Sequence, residues 1–407
     1  MKTAKTVANQ AISTPTDLNL PLALKMAQIV INQEKIDFFD NNRLQVKKID
    51  PWSVAVLERL QEFCLRSGKA VRPLLVAVGA SLVTQESFAT IITQPPIKKA
   101  MLLVELKHKR LLMADDIADQ DKLRNGQPSF HIKWQMDLAK STNYQNLSSA
   151  QLEHIARSYT EVAGIWLDGL STQIIADSVF SADDRVDIMQ LLSRHYYNNT
   201  VAGWFVTFDQ NHEKLTDQTS EDTLLKGLEL VSGEYTFVNP LKIGFKLGQN
   251  YIQKNQKKDK TKKLTKKQAI NLSQLETAIE HYGQAAGTLF QITDDLLSAF
   301  GQPEVTGKPV GGDFKEGKKT LLVQHAYRHG NDKQRKFLQN KIGRLDLSNQ
   351  EVKQIQTILN QTGAIEYAKS RVQDFAKKAQ DALESVPTSP ERKILLDLIE
   401  YIANRNK

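Results

Sequence analysis

The sequence predicts an all-α protein, and three observations carry that reading. Only 12 prolines and 20 glycines punctuate 407 residues. Apolar residues recur at three- and four-residue intervals along extended stretches, which is the period of a helix face. No stretch sustains the two-residue alternation of a half-buried strand, so a sheet is not expected.

The elements follow in chain order. Asp50-Pro51 supplies an N-cap and a first-turn proline, and Leu57, Leu60 and Cys64 form an apolar stripe ending near Gly68. Residues 101–119 read as one helix with a polar stripe of Glu105, His108, Asp115, Asp116 and Asp119 along an otherwise apolar segment. Burying such a stripe is costly unless it lines a wet or metal-filled space. Ser348 and Glu351 make a capping box. Beyond Gly363, Ile365, Ala368, Val372, Phe375, Ala379 and Leu383 keep to one face. Breaks fall at 93–96, 141–149, 181–184, 254–267 and 386–390. None separates regions of different composition, so residues 25–400 are expected to form one domain behind an N-terminal extension at 1–24.

Composition is that of a globular protein, 41% hydrophobic and 25% charged. The lone Cys64 excludes an internal disulfide and suits a reducing, cytoplasmic location. No apolar run reaches the length of a membrane span, and the first 32 residues lack the order of a secretory signal. The net charge of +8 is concentrated: residues 254–267 hold eight lysines against one aspartate. A Lys-rich loop at 252–268 is therefore expected as an exposed excursion, with peripheral contact to anionic lipid head groups as its functional reading. Nucleic acid is not expected as a partner, because no aromatic residues interleave with these lysines.

Two acidic clusters stand about 180 residues apart: Asp115-Asp116-Ile117-Ala118-Asp119 and Asp294-Asp295-Leu296-Leu297-Ser298. Residues four apart share a helix face, so Asp115 and Asp119 point the same way. Mg2+ favours such carboxylate oxygens together with substrate phosphates. Arg124 follows the first cluster, and Lys308 and Lys318 follow the second, in the manner of a site for a polyanion. The pattern points to metal-assisted diphosphate chemistry.

Five motifs occur in one order: residues 68–73 (Gly-Lys-Ala-Val-Arg-Pro), Glu105 with His108, the first acidic cluster with Arg124-Asn125-Gly126, residues 290–295 (Phe-Gln-Ile-Thr-Asp-Asp), and Gly307-Lys308 through Lys318. Over residues 40–400 the chain thereby resembles the trans-isoprenyl diphosphate synthase (polyprenyl synthetase) family, which includes farnesyl and geranylgeranyl diphosphate synthases. The resemblance implies a single-domain helical bundle around a deep central cavity and a homodimer. It implies Mg2+ held by Asp115, Asp119 and Asp294, supported by Asp116 and Asp295. Lys69, Arg72 and His108 match the isopentenyl diphosphate pocket. Arg124, Gln291, Lys308 and Lys318 match groups around the allylic diphosphate, with Ser232 among the substrate-binding positions. The implied catalytic set is Asp115, Asp119, Asp294, Arg124 and Lys308. Leu111 and Arg110, just before the first cluster, occupy the positions that control chain length.

The chain also departs from that family. Ser298 stands where a third Asp is usual, Asn125 where a second Arg is usual, Val231 where a Lys precedes Ser232, and Gly203-Trp204 where Gly-Gln is usual. The expected function is condensation of isopentenyl diphosphate with an allylic diphosphate. The departures raise two alternatives: a weakly active or regulatory subunit of a heterodimer, and a prenyl donor enzyme with a peptide acceptor. On this reading Asn125→Arg is expected to restore a cation and tighten isopentenyl diphosphate binding.

Overall fold

A computed structural model describes residues 18–84, 86–216, 220–258, 266–301 and 310–405. Its fold is the expected all-α helical bundle; among the described residues the sole β pairing is a ribbon of β1 (Leu123–Arg124) and β2 (Gln127–Pro128). No helix of the described residues is long and apolar enough to cross a membrane. The chain clusters into two compact units, one of residues 1–188 with 246–251, the other of 189–245 with 252–407.

The first unit opens with α1 (Leu20–Val46), α2 (Pro51–Leu65), α3 (Val71–Thr84), α4 (Phe88–Ile91) and α5 (Pro95–Ala118). After the ribbon come α6 (Phe130–Lys140) and α7 (Ser149–Gln173). Asp50 caps α2 as its sequence demands, accepting from Ser53 N at 2.8 Å. α3 is apolar all round and accordingly buried from Pro73 to Ser81, packed against α5 and α1. Two basic residues before the first acidic cluster turn onto α7: Lys107 Nζ lies 2.6 Å from Asp168, and Arg110 pairs with Glu161 at 3.0 Å. Arg110 lies so closely over Gly164 that a Cβ there would come within 2.8 Å of its Nε.

His131 in α6 is buried, with Ser129 Oγ 3.3 Å from its Nδ1. Burial, reinforced by the charge of Arg157, holds its pKa down to about 4. The unfolded imidazole titrates near 6.5. As pH falls from 6.5 towards 4 the unfolded chain gains a proton that the folded chain refuses, so stability is lost over that window. His131→Gln should therefore flatten the acid limb, with a wild-type deficit of about 2–3 kcal/mol at pH 4.5 relative to pH 7 that the variant lacks. Urea melts at the two pH values check this; equal slopes in both proteins would refute it.

The second unit contains α9 (Ala202–His212), α10 (Glu221–Leu228) and the long α12 (Lys266–Phe300). It continues through α13 (Gly312–Glu316), α14 (Leu321–His329), α15 (Asp332–Lys341), α16 (Asn349–Gln361), α17 (Ala364–Ala382) and α18 (Pro390–Ala403). Two further helices, α8 (Ala182–Leu191) and α11 (Asn239–Lys258), carry residues of both units. π-Helical segments at Leu192–Val201 and Glu229–Val238 were not expected from sequence. α12 packs on the second of these and on α17, and Tyr282 in its middle donates to Leu395 O in α18 at 3.0 Å. The capping box of Ser348 and Glu351 is present at the start of α16. Of the expected Lys-rich loop at 252–268, residues 252–258 and 266–268 are helical. Helix continues to Lys258 and resumes at Lys266, while residues 259–265 lie outside the described residues. Lysine is a good helix former and no Gly or Pro interrupts either end.

Candidate active site

α5 begins at a proline pair and ends at Asp119, which is the C-cap; Gln120 then takes a left-handed φ of 55° and reverses the chain. Asn125 (φ 54°) and Gly126 (φ 73°) follow as the two central residues of a hairpin whose flanking pair is Arg124 and Gln127. A tight hairpin with both central residues at positive φ favours Asn-Gly, the pair found here. The hairpin folds Arg124 back over the end of α5. Its Nε donates to Asp116 Oδ1 at 2.6 Å and its Nη2 to Asp115 Oδ2 at 2.7 Å, with Asp121 Oδ2 at 3.4 Å.

Asp115, Asp116 and Asp121 thus offer carboxylate oxygens within 4.8 Å of one another, a set that a hard divalent cation can use. Asp116 is fully buried, and burial pushes its pKa up to about 7 against the pull of Arg124. Its Oδ2 has no hydrogen-bond partner, which leaves an open acceptor in the cluster. Asp119 ends the helix and is not one of these three.

In the same unit, Lys69 is exposed on the loop before α3, while Arg72 and His108 are half-buried. His108 is held well below its ordinary pKa, first by burial and then by the charges of Arg72, Lys109 and Arg124. These groups therefore gather around a neutral imidazole, a basin of positive potential suited to a polyanion. Asn125 is exposed, and its Nδ2 donates to Ser67 O at 3.0 Å. An arginine there would lose this bond and be strained at φ 54°, so the expectation that Asn125→Arg tightens binding reverses: the variant should bind less well.

In the second unit, α12 carries Gln291, Asp294 and Asp295. Ser232 Oγ donates to Gln291 Oε1 at 2.6 Å, and Gln291 Nε2 donates to Asp295 Oδ1 at 3.0 Å. Burial and the nearby Asp313 charge push Asp295 up to about 8. Lys318 stands beside this acid pair, 3.2 Å from Asp313 and 2.6 Å from Glu316. Ser298 uses its backbone oxygen to accept from Gly311 N at 3.0 Å. Asp294 pairs with Arg405 from the chain's end, whose guanidinium also lies 4.4 Å over the ring of Phe290. Lys308 lies outside the described residues. Clefts of about 340 and 350 Å³ open elsewhere, around Glu34 and Trp134; neither is lined by a residue of the acidic clusters.

The sequence pattern described as Polyprenyl synthetase matches residues 54–359. The chain belongs to that family. It is 28% identical to a geranylfarnesyl diphosphate synthase of Aeropyrum pernix over 84% of this chain and 91% of that one. It is 25% identical to a geranylgeranyl diphosphate synthase of Saccharolobus solfataricus, over 84% and 87%. Its fold matches a geranylgeranyl pyrophosphate synthase from Corynebacterium glutamicum, solved with isoprenyl diphosphate and magnesium, at a TM-score of 0.79 and 23% identity over 96% and 99% of the two chains. Membership supports trans-prenyltransferase chemistry on isoprenoid diphosphates at the family level.

Two residues at the family's acidic motifs escaped the sequence reading. Asp121 joins the first cluster only because the chain reverses at Gln120, and a positive φ at that position carries no strong sequence signal. Arg405 reaches Asp294 across 111 positions, a distance no local pattern encodes. The hairpin was not expected either, although Asn125-Gly126 is the residue pair that such a turn favours.

Proposed function

We propose that this chain joins isopentenyl diphosphate to an allylic prenyl diphosphate, releasing diphosphate and leaving a longer trans-prenyl chain. The observation that carries the reading is the Asp115–Asp116–Asp121 cluster, with an open acceptor on Asp116, beside the basic group of Arg72, His108 and Arg124. Asp115, Asp116 and Asp119 in the first unit and Asp294 and Asp295 in the second would hold Mg2+; Asp121 is a candidate added by the geometry. A metal held by these carboxylates would supply positive charge to offset the negative charge developing on the departing diphosphate.

The remaining roles fall to the chain itself. Lys69, Arg72 and His108 bind the isopentenyl diphosphate. Arg124, Lys308 and Lys318 stabilise the allylic diphosphate as it leaves with the C–O bonding electrons. Gln291, steered by Ser232, orients donors next to Asp295. The allylic cation is attacked by the isopentenyl double bond, and loss of a proton completes the product.

A second reading, a weakly catalytic subunit of a heterodimer, is favoured by Val231 and Ser298, which supply neither the cation nor the third carboxylate of the family pattern. Incubating the purified chain with Mg2+, isopentenyl diphosphate and allylic diphosphates of increasing length, with product lengths read by mass spectrometry, separates the two. Elongation of any starter supports the first reading. Allylic binding without elongation supports the second. Light scattering tests the homodimer that belongs to this proposal, and the buried Cys64 is compatible with the cytoplasmic location we assign.

A further inference from the structure

The loop from α2 to α3 carries Lys69 and leads into Arg72, and its backbone, together with the last turn of α2, is caught by side chains from elsewhere. Lys35 in α1 donates to Cys64 O at 2.9 Å, and Lys109 in α5 lies 3.4 Å from Arg66 O. Asn125 of the hairpin donates to Ser67 O at 3.0 Å, and Gln28 in α1 to Gly68 O at 3.0 Å. The stitching to the hairpin runs both ways, because Arg66 Nη1 donates to Pro128 O at 2.7 Å.

Two features separate this arrangement from ordinary loop packing. Lys35 and Lys109 are each 3% exposed; Lys109 lies 3.8 Å from the buried carboxylate of Glu105, whose charge also acts on Lys35. Two buried ammonium groups around one acid are a costly way to stabilise a fold, and an apolar filling would do it better. Their placement at the carbonyl end of α2 gives that cost a use: they complement the helix dipole and hold the last carbonyls in one direction. Ala70 then sits at a φ of 54°, a left-handed conformation that a residue with a Cβ keeps only when its surroundings over-determine it.

We propose that Gln28, Lys35, Lys109 and Asn125 are positioning residues that pre-set the 66–70 loop, and with it Lys69 and Arg72, for an incoming diphosphate. The inference rests on the assignment of Lys69 and Arg72 to the isopentenyl diphosphate. None of the four touches the ligand; they act by sparing it the cost of ordering the loop.

The two ties nearest the surface give the cleanest test. Asn125→Gly keeps the positive φ and removes only the side-chain bond; Gln28→Ala removes the bond from α1. Isothermal titration with isopentenyl diphosphate should show a Kd about five-fold weaker in each variant, the equivalent of one neutral hydrogen bond. Amide exchange at 66–70 should quicken, while the melting temperature and the allylic diphosphate Kd stay unchanged. A wild type that binds and variants that bind equally well, with exchange unaltered, would overturn the positioning role alone. A wild type that binds no isopentenyl diphosphate would overturn the functional assignment and the proposal with it. Equal weakening towards both substrates, or a lowered melting temperature, would mark the ties as general supports and also overturn it.

Discussion

Asp115→Ala is expected to cut turnover by about 10²- to 10³-fold while the fold stands. The Asp115 side chain is 35% exposed, and without it Arg124 keeps its bonds to Asp116 and Asp121. The loss therefore falls on the carboxylate cluster and not on packing. Asp116→Ala should behave differently. Asp116 is fully buried and accepts the 2.6 Å bond from Arg124 Nε, so its removal leaves a largely buried guanidinium short of an acceptor. A destabilisation of about 1–3 kcal/mol is expected in addition to lost activity. Steady-state assays, Mn2+ titration followed by electron paramagnetic resonance, and urea melts on both variants check the contrast. Full turnover and unchanged metal binding in Asp115→Ala would remove that residue from the site.

Gly287→Ala should be among the most destabilising single-methyl additions in the second unit. A Cβ on Gly287 would stand 2.5 Å from Gly233 N and 3.1 Å from Ser232 C, in backbone that has nowhere to go. α12 and the segment Glu229–Val238 would have to separate, at a cost of about 3 kcal/mol or more. That separation also breaks the 2.6 Å bond from Ser232 to Gln291, so activity should fall with stability. Gly233→Ala makes the opposite prediction from a different contact with the same helix. Its Cβ would meet Gln284 Cα and O at 3.4 Å, the edge of ordinary packing, and the cost should stay below about 1 kcal/mol. Thermal melts of the two variants test this, and equal destabilisation would show that the helices can shift.

The helices and several of their caps were legible because they are local. Asp50 caps α2 and Ser348 with Glu351 opens α16 as their spacing implies, since a cap depends on residues three apart. The all-α class followed from the same short-range periodicity. The π-helical segments were not legible. An extra residue per turn leaves no compositional mark, and in Glu229–Val238 it accompanies the close approach of Gly233 to Gly287.

The order of the motifs along the chain was enough to place the protein in its family, because a diphosphate and its cations demand particular residue types whatever the surrounding packing. The ionic partners were a different matter. That Arg124 faces Asp115 and Asp116 follows from the hairpin turn, and that Arg405 faces Asp294 follows from where α18 ends. The meaning of Asn125 changed most: along the chain it is a missing cation, and in the folded unit it is a donor to Ser67 O held at a positive φ. Residue type and short spacing decide helix, cap and turn, because those interactions close over a few residues. The partner of a charged side chain is decided by the packing of segments tens to hundreds of residues apart, which no short window of the chain contains.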